Sequence, residues 1–351
     1  MRKGELTRKE IEQQPSVWSS ALVETGERKE EVKHLPIEPE EAIFYGSGSS
    51  HYSALSASMV YQELTGVRSR GTPPSEIFLF PRPFTVPEEI LVFPISRSGT
   101  TTETIEATTE FVNNHDAYSI GFTCHPDSDL AETVDFCISI EDAREESVVQ
   151  TKSFTSMLIA LQRTTSTMGE NEKFFKSLEK LPAKAKKVIR KSYDIVEDMV
   201  DEDGFHHFVF LGGGPLYGIA MESMLKMEEM VLEHTEGYHP LEYRHGPKSM
   251  IDDGTLITLY ASDLGVEYEE DLLRELKNLG ATLFVVSENG GMRGMSDYSL
   301  ELESGLDEFA RAPLCVIPAQ VMGLEFALNE GVNPDSPRHL QGVVKLGKGE
   351  K

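Results

Sequence analysis

The chain has 351 residues, 39% hydrophobic and 26% charged, the balance of a soluble globular protein with room for two domains and a well-buried core. A net charge of −26 opposes nucleic acid and anionic membrane as partners. No apolar run reads as long enough to span a bilayer and no charged-then-apolar leader opens the sequence, so a cytoplasmic protein is expected.

Residues 1–38 are charged and read as an N-terminal helical arm, with a helix over Thr7 to Lys33 and the lone Trp18 as a packing anchor. Residues 41–45 open the first strand, followed by Gly46-Ser47-Gly48-Ser49-Ser50 and a helical pattern from Tyr52 to Leu64. A dinucleotide fingerprint would need Gly-x-Gly-x-x-Gly at that turn, which is absent, so no nicotinamide cofactor is expected. Glu89 to Ile95 reads as a buried strand, and Thr102 to Ala107 as the start of a helix. Between them lies Ser96-Arg97-Ser98-Gly99-Thr100-Thr101. A hydroxyl-rich Gly turn joining a strand to a helix is either an ordinary capped turn or an anion cradle, since its N–H groups and the helix dipole favour negative charge. Strands at Ala117–Phe122 and Phe136–Ile140 and a helix from Thr151 to Met168 complete a first α/β domain over residues 39–170.

The polar stretch 169–187 reads as a linker, leading into helix up to Val200. The pattern then restarts over residues 190–330. Phe205 to Leu211 is a strand, Gly212-Gly213-Gly214-Pro215 a turn, and an amphipathic helix follows. Leu256–Tyr260, Leu283–Val286 and Leu314–Ile317 read as further strands. Two tandem three-layer α/β/α sandwiches with mainly parallel sheets are therefore expected, with a Pro-rich tail over 331–351.

Glu222, Lys226 and Glu229 fall on one face of the second-half helix. Such charges form ordinary surface pairs. Here small and apolar neighbours imply partial burial beside a Gly-rich turn, as a general base requires. His245, in Arg244-His245-Gly246-Pro247, is either a proton carrier or a solvent-facing loop residue. Cys124, Cys137 and Cys315 fit neither a zinc site nor a disulfide framework, and Cys137 and Cys315 read as buried thiols. No metal or organic cofactor is expected.

Together these motifs, in order over about residues 40–345, resemble the sugar isomerase (SIS) family. The likeness is greatest to the isomerase half of glucosamine-6-phosphate synthase and to stand-alone archaeal-type glucosamine-6-phosphate deaminases. Gly48-Ser49-Ser50 stands at the family's first substrate turn, with Ser47 at its Cys. Ser96-Arg97-Ser98-Gly99-Thr100-Thr101 matches the family's Ser-Gln-Ser-Gly-Glu-Thr phosphate loop, which implies Ser96, Ser98 and Thr101 as phosphate ligands and puts Arg97 in place of Gln. Thr151-Lys152-Ser153-Phe154-Thr155 matches Thr-Lys-Ala-Phe-Thr after the acidic Glu145, with Gln150 where the synthase has Ser. The helix Glu222 to Glu229 implies Glu229 as the proton-shuttling base. Arg244-His245-Gly246-Pro247 matches Lys-His-Gly-Pro, whose His assists ring opening from the neighbouring subunit, implying a homodimer with a shared site. Pro337-Arg338-His339-Leu340 matches Pro-Arg-Asn-Leu, which implies residues 331–351 as a C-terminal tail over the active site, but Gly342 replaces the family's imine-forming tail lysine, the nearest lysine being Lys345. The sequence opens Met1-Arg2, without an N-terminal Cys nucleophile, so deamination or plain isomerisation is expected rather than glutamine-dependent synthesis. The reading is an isomerising glucosamine-6-phosphate deaminase. A fructosamine-phosphate deglycase, another sugar-phosphate isomerase and a non-catalytic sugar-phosphate sensor stay open.

Overall fold

The computed structural model describes residues 2–82, 84–115, 117–202, 204–344 and 346. It contains two parallel five-stranded sheets of the same topology. The first has strands β1 (Glu41–Tyr45), β2 (Arg68–Thr72), β3 (Ile90–Pro94), β4 (Ala117–Thr123) and β5 (Phe136–Ser139) in the order β2-β1-β3-β4-β5. The second has β6 (His207–Gly212), β7 (His234–Tyr238), β8 (Thr255–Tyr260), β9 (Thr282–Ser287) and β10 (Tyr298–Glu301) in the order β7-β6-β8-β9-β10. All pairs are parallel; Ala42, for example, lies opposite Ser69 on β2 and Leu91 on β3. Parallel neighbours need crossovers, and each β1–β2 or β6–β7 step runs through a long helix, Ser49–Thr65 or Pro215–Met230.

The chain divides into two compact units. The N-terminal unit comprises Ser16–Glu146, Lys152–Glu179 and Gln341–Lys351, and the C-terminal unit Met1–Pro15, Ser147–Thr151 and Lys180–Leu340. The expected N-terminal arm is helical over Glu5–Glu27 and Lys29–Lys33, and it contributes to both units. In the N-terminal unit, Ile43, Tyr45, Ile90 and Val92 on one sheet face pack with Ala107 and Phe111 of the helix Thr102–Asn114. Phe44 and Phe93 stack with ring centroids 4.2 Å apart. In the C-terminal unit, Val209, Leu211, Ile257, Leu259 and Leu283 meet Leu272, Leu273 and Leu276 of the helix Val266–Asn278. Each such buried aliphatic side chain contributes about 1.5–3 kcal/mol relative to exposure.

Several expectations need correction. The stretch 169–187 is not merely a linker, because Glu172–Ser177 and Leu181–Asp201 are helical. Leu314–Ile317 is not a strand; the chain is helical over Glu308–Cys315 and Ile317–Asn329. By length and mean hydropathy of 1.3, Glu308–Asn329 does reach the size of a membrane-crossing helix, contrary to expectation, but 83% of its apolar window is buried within the fold. There it packs against the helices Leu181–Asp201 and Pro215–Met230. Cys124 and Cys315 are buried, whereas Cys137 is only half-buried.

Candidate functional site

The N-terminal unit places two hydroxyl-rich turns at the C-terminal ends of β1 and β3, adjacent strands whose crossovers run in opposite directions. That position is where open α/β sheets bind ligands. After β1 the chain passes within van der Waals range of β3, and a side chain on Gly46 would strike the Ile95 carbonyl at 2.6 Å. Gly48 then caps the helix Ser49–Thr65 with φ +58°, and Ser49 and Ser50 are buried in its first turn, while Ser47 is half-buried and Gly48 exposed.

After β3, Ser96 donates its N–H to Phe122 O (2.9 Å), which ties the turn to β4. Ser96 Oγ lies 3.0 Å from Thr101 Oγ1 and accepts from Gly99 N–H at 3.1 Å. Ser98 Oγ accepts from the Thr100 N–H and hydroxyl, both at 3.2 Å. Gly99 is required here, because its φ is +66° and an added Cβ would sit 2.0 Å from Ser128 Oγ. The N–H groups of Thr101, Thr102, Glu103 and Thr104, at the start of the helix Thr102–Asn114, have no hydrogen-bond acceptor among the described residues. Ser96, Ser98 and Thr101 are thus brought together around unpaired donors, an arrangement suited to a phosphate.

Arg97 behaves differently. Its Nη1 donates to Glu145 Oε2 (3.1 Å) and its Nη2 to the Gly342 carbonyl (2.8 Å). Glu145 is fully buried and also accepts from Ser153 N–H (3.1 Å) and Ser153 Oγ (2.6 Å). Lys345, the lysine nearest the family's imine position, lies outside the described residues. Gln150 is half-buried in Ser147–Thr151, a segment of the C-terminal unit.

In the C-terminal unit, Gly214 caps the helix Pro215–Met230 with φ 55° and ψ −130°, against 58° and −129° at Gly48. On that helix Lys226 Nζ lies 2.6 Å from Glu229 Oε2 and 3.3 Å from Glu222 Oε1. This is no surface pair: the side chains of Glu222 and Lys226 are 0% exposed, and that of Glu229 18%. Burial alone would push the Lys226 ammonium down, but Glu222 and Glu229 outweigh it and hold it above the usual lysine range. The ion pair fixes one carboxylate oxygen of Glu229, and Glu229 is the member that solvent or a ligand can reach. His245 is exposed, and its ring makes no hydrogen bond among the described residues.

The second sheet has its own turn after β8, and sequence reasoning missed its partners. Ser262 N–H and Oγ donate to Glu269 Oε2 (3.0 Å) and Oε1 (2.9 Å). Asp263 N–H donates to Glu308 Oε2 (2.6 Å), and the Asp263 carboxylate takes both arms of buried Arg311 at 2.7 and 2.6 Å. Glu269 was hidden because it sits on an amphipathic helix rich in acidic residues, where a carboxylate reads as surface.

The SIS domain family model matches residues 37–166. The isomerizing glutamine–fructose-6-phosphate aminotransferase of Sulfurisphaera tokodaii is 28% identical over 322 residues, covering 90% of this chain and 51% of that protein. The chain thus spans about half the length of the curated relatives it matches. Among solved structures, glucosamine-6-phosphate deaminase from Thermotoga maritima is 31% identical with a TM-score of 0.78, covering 93% of this chain and 100% of that one. Tagatose-6-phosphate ketose/aldose isomerase from Escherichia coli shares the fold at 21% identity, with a TM-score of 0.87 and coverage of 99% and 98%. The chain belongs to the SIS family of sugar-phosphate isomerases.

Proposed function

We propose that the protein is an isomerising amino-sugar phosphate deaminase that converts glucosamine-6-phosphate and water to fructose-6-phosphate and ammonia. The observation that carries this reading is the buried Glu222–Lys226–Glu229 cluster with Glu229 alone reachable. A sugar-phosphate sensor needs an anion turn, but it has no use for two carboxylates and an ammonium held in a helix at the cost of their desolvation. The likeness to the Thermotoga maritima deaminase supports the choice of amino sugar.

In this reading the Ser96–Thr101 turn holds the phosphate, with Gly48, Ser49 and Ser50 as sugar contacts. Glu229 removes the proton from C2 of the open-chain amino aldose and returns it to C1, leaving a ketimine at C2. Water adds to C2, the C2–N bond of the carbinolamine breaks, and ammonia leaves fructose-6-phosphate. A positioned base contributes roughly 10²- to 10⁴-fold to such a transfer, and fixing the substrate by its phosphate supplies more. His245 assists ring opening for a neighbouring copy in a homodimer; its exposed, unpartnered ring suits that role. The residue partition, in which residues 39–170 bind phosphate and residues 190–330 supply the base, is part of the proposal.

Purified protein given glucosamine-6-phosphate should release ammonia and fructose-6-phosphate in equal amounts. Turnover of a fructosamine phosphate without ammonia from glucosamine-6-phosphate would make it a deglycase. Aldose–ketose exchange with no nitrogen released would make it a plain isomerase, and binding without turnover a sensor.

A further inference from the structure

Within the C-terminal unit, a cavity of about 480 Å³ opens at the C-terminal ends of the second sheet's strands. Gly213 lines it from the turn after β6, His239 and Leu241 from the segment after β7, and Gly265, Tyr268 and Glu269 from the turn and helix after β8. Its volume suits a small molecule. Its place, over the adjacent strands β6 and β8 whose crossovers diverge, is where open α/β sheets take ligands.

The lining decides which ligand. Ser262 and Asp263 give their N–H groups to Glu269 and Glu308, so the turn after β8 has spent on carboxylates the donors an anion would need. Among the described residues no lysine or arginine lines the cavity, and the Arg311 guanidinium is engaged by Asp263. Glu269 is only 4% exposed, yet it lines the cavity. Each of its oxygens takes one bond from Ser262, and each has a lone pair for a second donor. Its charge is desolvated and has Glu308 and Asp263 as neighbours, so a cation beside it is stabilised. The walls are apolar or aromatic. Tyr268 and Leu241 expose their side chains, and His239 stacks on Tyr217 with ring centroids 3.8 Å apart and planes 15° from parallel. Aromatic rings around a buried carboxylate are surroundings that hold an organic ammonium ion.

We propose that this cavity is a second ligand site, selective for a small organic ammonium ion whose protonated amine pairs with Glu269 and whose body packs on Tyr268 and Leu241. The site goes beyond the deaminase reading and does not depend on it, since the Ser96–Thr101 turn and Glu229 take no part. A sugar phosphate is kept out by the carboxylates that fill the turn.

The test uses three probes of one shape and different charge: benzylammonium, benzyl alcohol and benzoate. Each is titrated into the full chain at neutral pH while amide resonances are followed by NMR. Benzylammonium should shift the amides of Gly213, Gly265 and Tyr268 saturably, with Kd on the order of 1 mM for so small a ligand. Benzyl alcohol should bind there about tenfold more weakly, the scale of one charge-assisted hydrogen bond, and benzoate should leave those amides unmoved. Glu269→Gln should remove the preference for ammonium over alcohol, and Tyr268→Ala should weaken both by about threefold. No saturable shift at these amides would overturn the proposal. So would equal affinity for benzylammonium and benzyl alcohol, which would make the cavity a plain apolar cleft, or tighter binding of benzoate, which would make it an anion site. If Glu269→Gln does not fold, the three probes on the native chain still decide the charge. Native affinity in Tyr268→Ala, a change at an exposed side chain, would then place the ligand elsewhere and overturn the site.

Discussion

The two strand–turn–helix units start from the same backbone and end with opposite chemistry. Gly48 and Gly214 cap their helices with φ and ψ within a few degrees of each other, at the same place in sheets of the same strand order. Counted from these caps, Glu222, Lys226 and Glu229 of the second helix correspond to Ser56, Val60 and Glu63 of the first, where Ser56 and Val60 are buried and Glu63 is exposed. The turns after β3 and β8 diverge the other way. At Ser96–Thr101 the hydroxyls bond one another and the helix N–H groups have no acceptor among the described residues. At Ser262–Gly265 the donors are taken by Glu269 and Glu308, the protein's own carboxylates standing where an external anion would otherwise be drawn. The first unit pairs an open turn with a helix face that carries no buried charge at these positions; the second pairs a buried charged helix face with a filled turn. In the proposed function, two sheets of the same strand order divide binding from acid–base chemistry through a few side chains on similar backbones.

The contrast can be broken most severely at Glu229. Glu229→Gln should lower turnover of the amino-sugar phosphate by roughly 10²- to 10⁴-fold, whereas Glu63→Gln at the matching position should leave it unchanged; equal activities would remove Glu229 as the base. Next is Lys226→Met, which strands two carboxylates in a buried helix face. It should cost about 3–5 kcal/mol in urea unfolding, and a loss below about 1 kcal/mol would show that the cluster is solvated. The turns themselves separate under calorimetry with inorganic phosphate. Ser96→Ala with Thr101→Ala should weaken binding on the order of 100-fold by removing two donors to a charged group, and Ser262→Ala should have no effect.

The smallest effect is a slope. Burial, then Glu308 and Asp263, push Glu269 above the usual carboxylate range, although its bonds to Ser262 pull it back. The native state then holds that proton more tightly than the unfolded chain. The stabilising contribution is full at low pH and is lost as pH rises from the ordinary carboxylate range through the native value. Glu269→Gln should flatten that part of a plot of stability against pH; an unchanged slope would mean the carboxylate is not desolvated.

What the sequence reveals follows from where each strand sits. β1, β3, β6 and β8 are central and covered on both faces, so they read as continuous apolar runs. β2 (Arg68–Thr72), β7 (His234–Tyr238) and β10 (Tyr298–Glu301) are edge strands with polar residues or Gly, and no apolar run announces them. Leu314–Ile317 misleads for the opposite reason: a helix buried on all sides is apolar all round and loses its period. The helix carrying Glu222, Lys226 and Glu229 was legible by spacing, and its burial by the small residues around it. Arg97 was legible as a member of the turn after β3, but nothing local shows that Glu145 and Gly342 would meet it.

Trp18 is the chain's one tryptophan. It is fully buried in the N-terminal unit, with Nε1–H donating to Thr155 Oγ1 at 2.8 Å. Its fluorescence should therefore be that of a dry indole, shifting to the red as the helix Lys152–Met168 and the N-terminal unit melt. Unfolding confined to the C-terminal unit would pass unseen in that channel. Emission and far-ultraviolet circular dichroism that fail to coincide along a denaturant series would then report that the N-terminal and C-terminal units come apart at different concentrations.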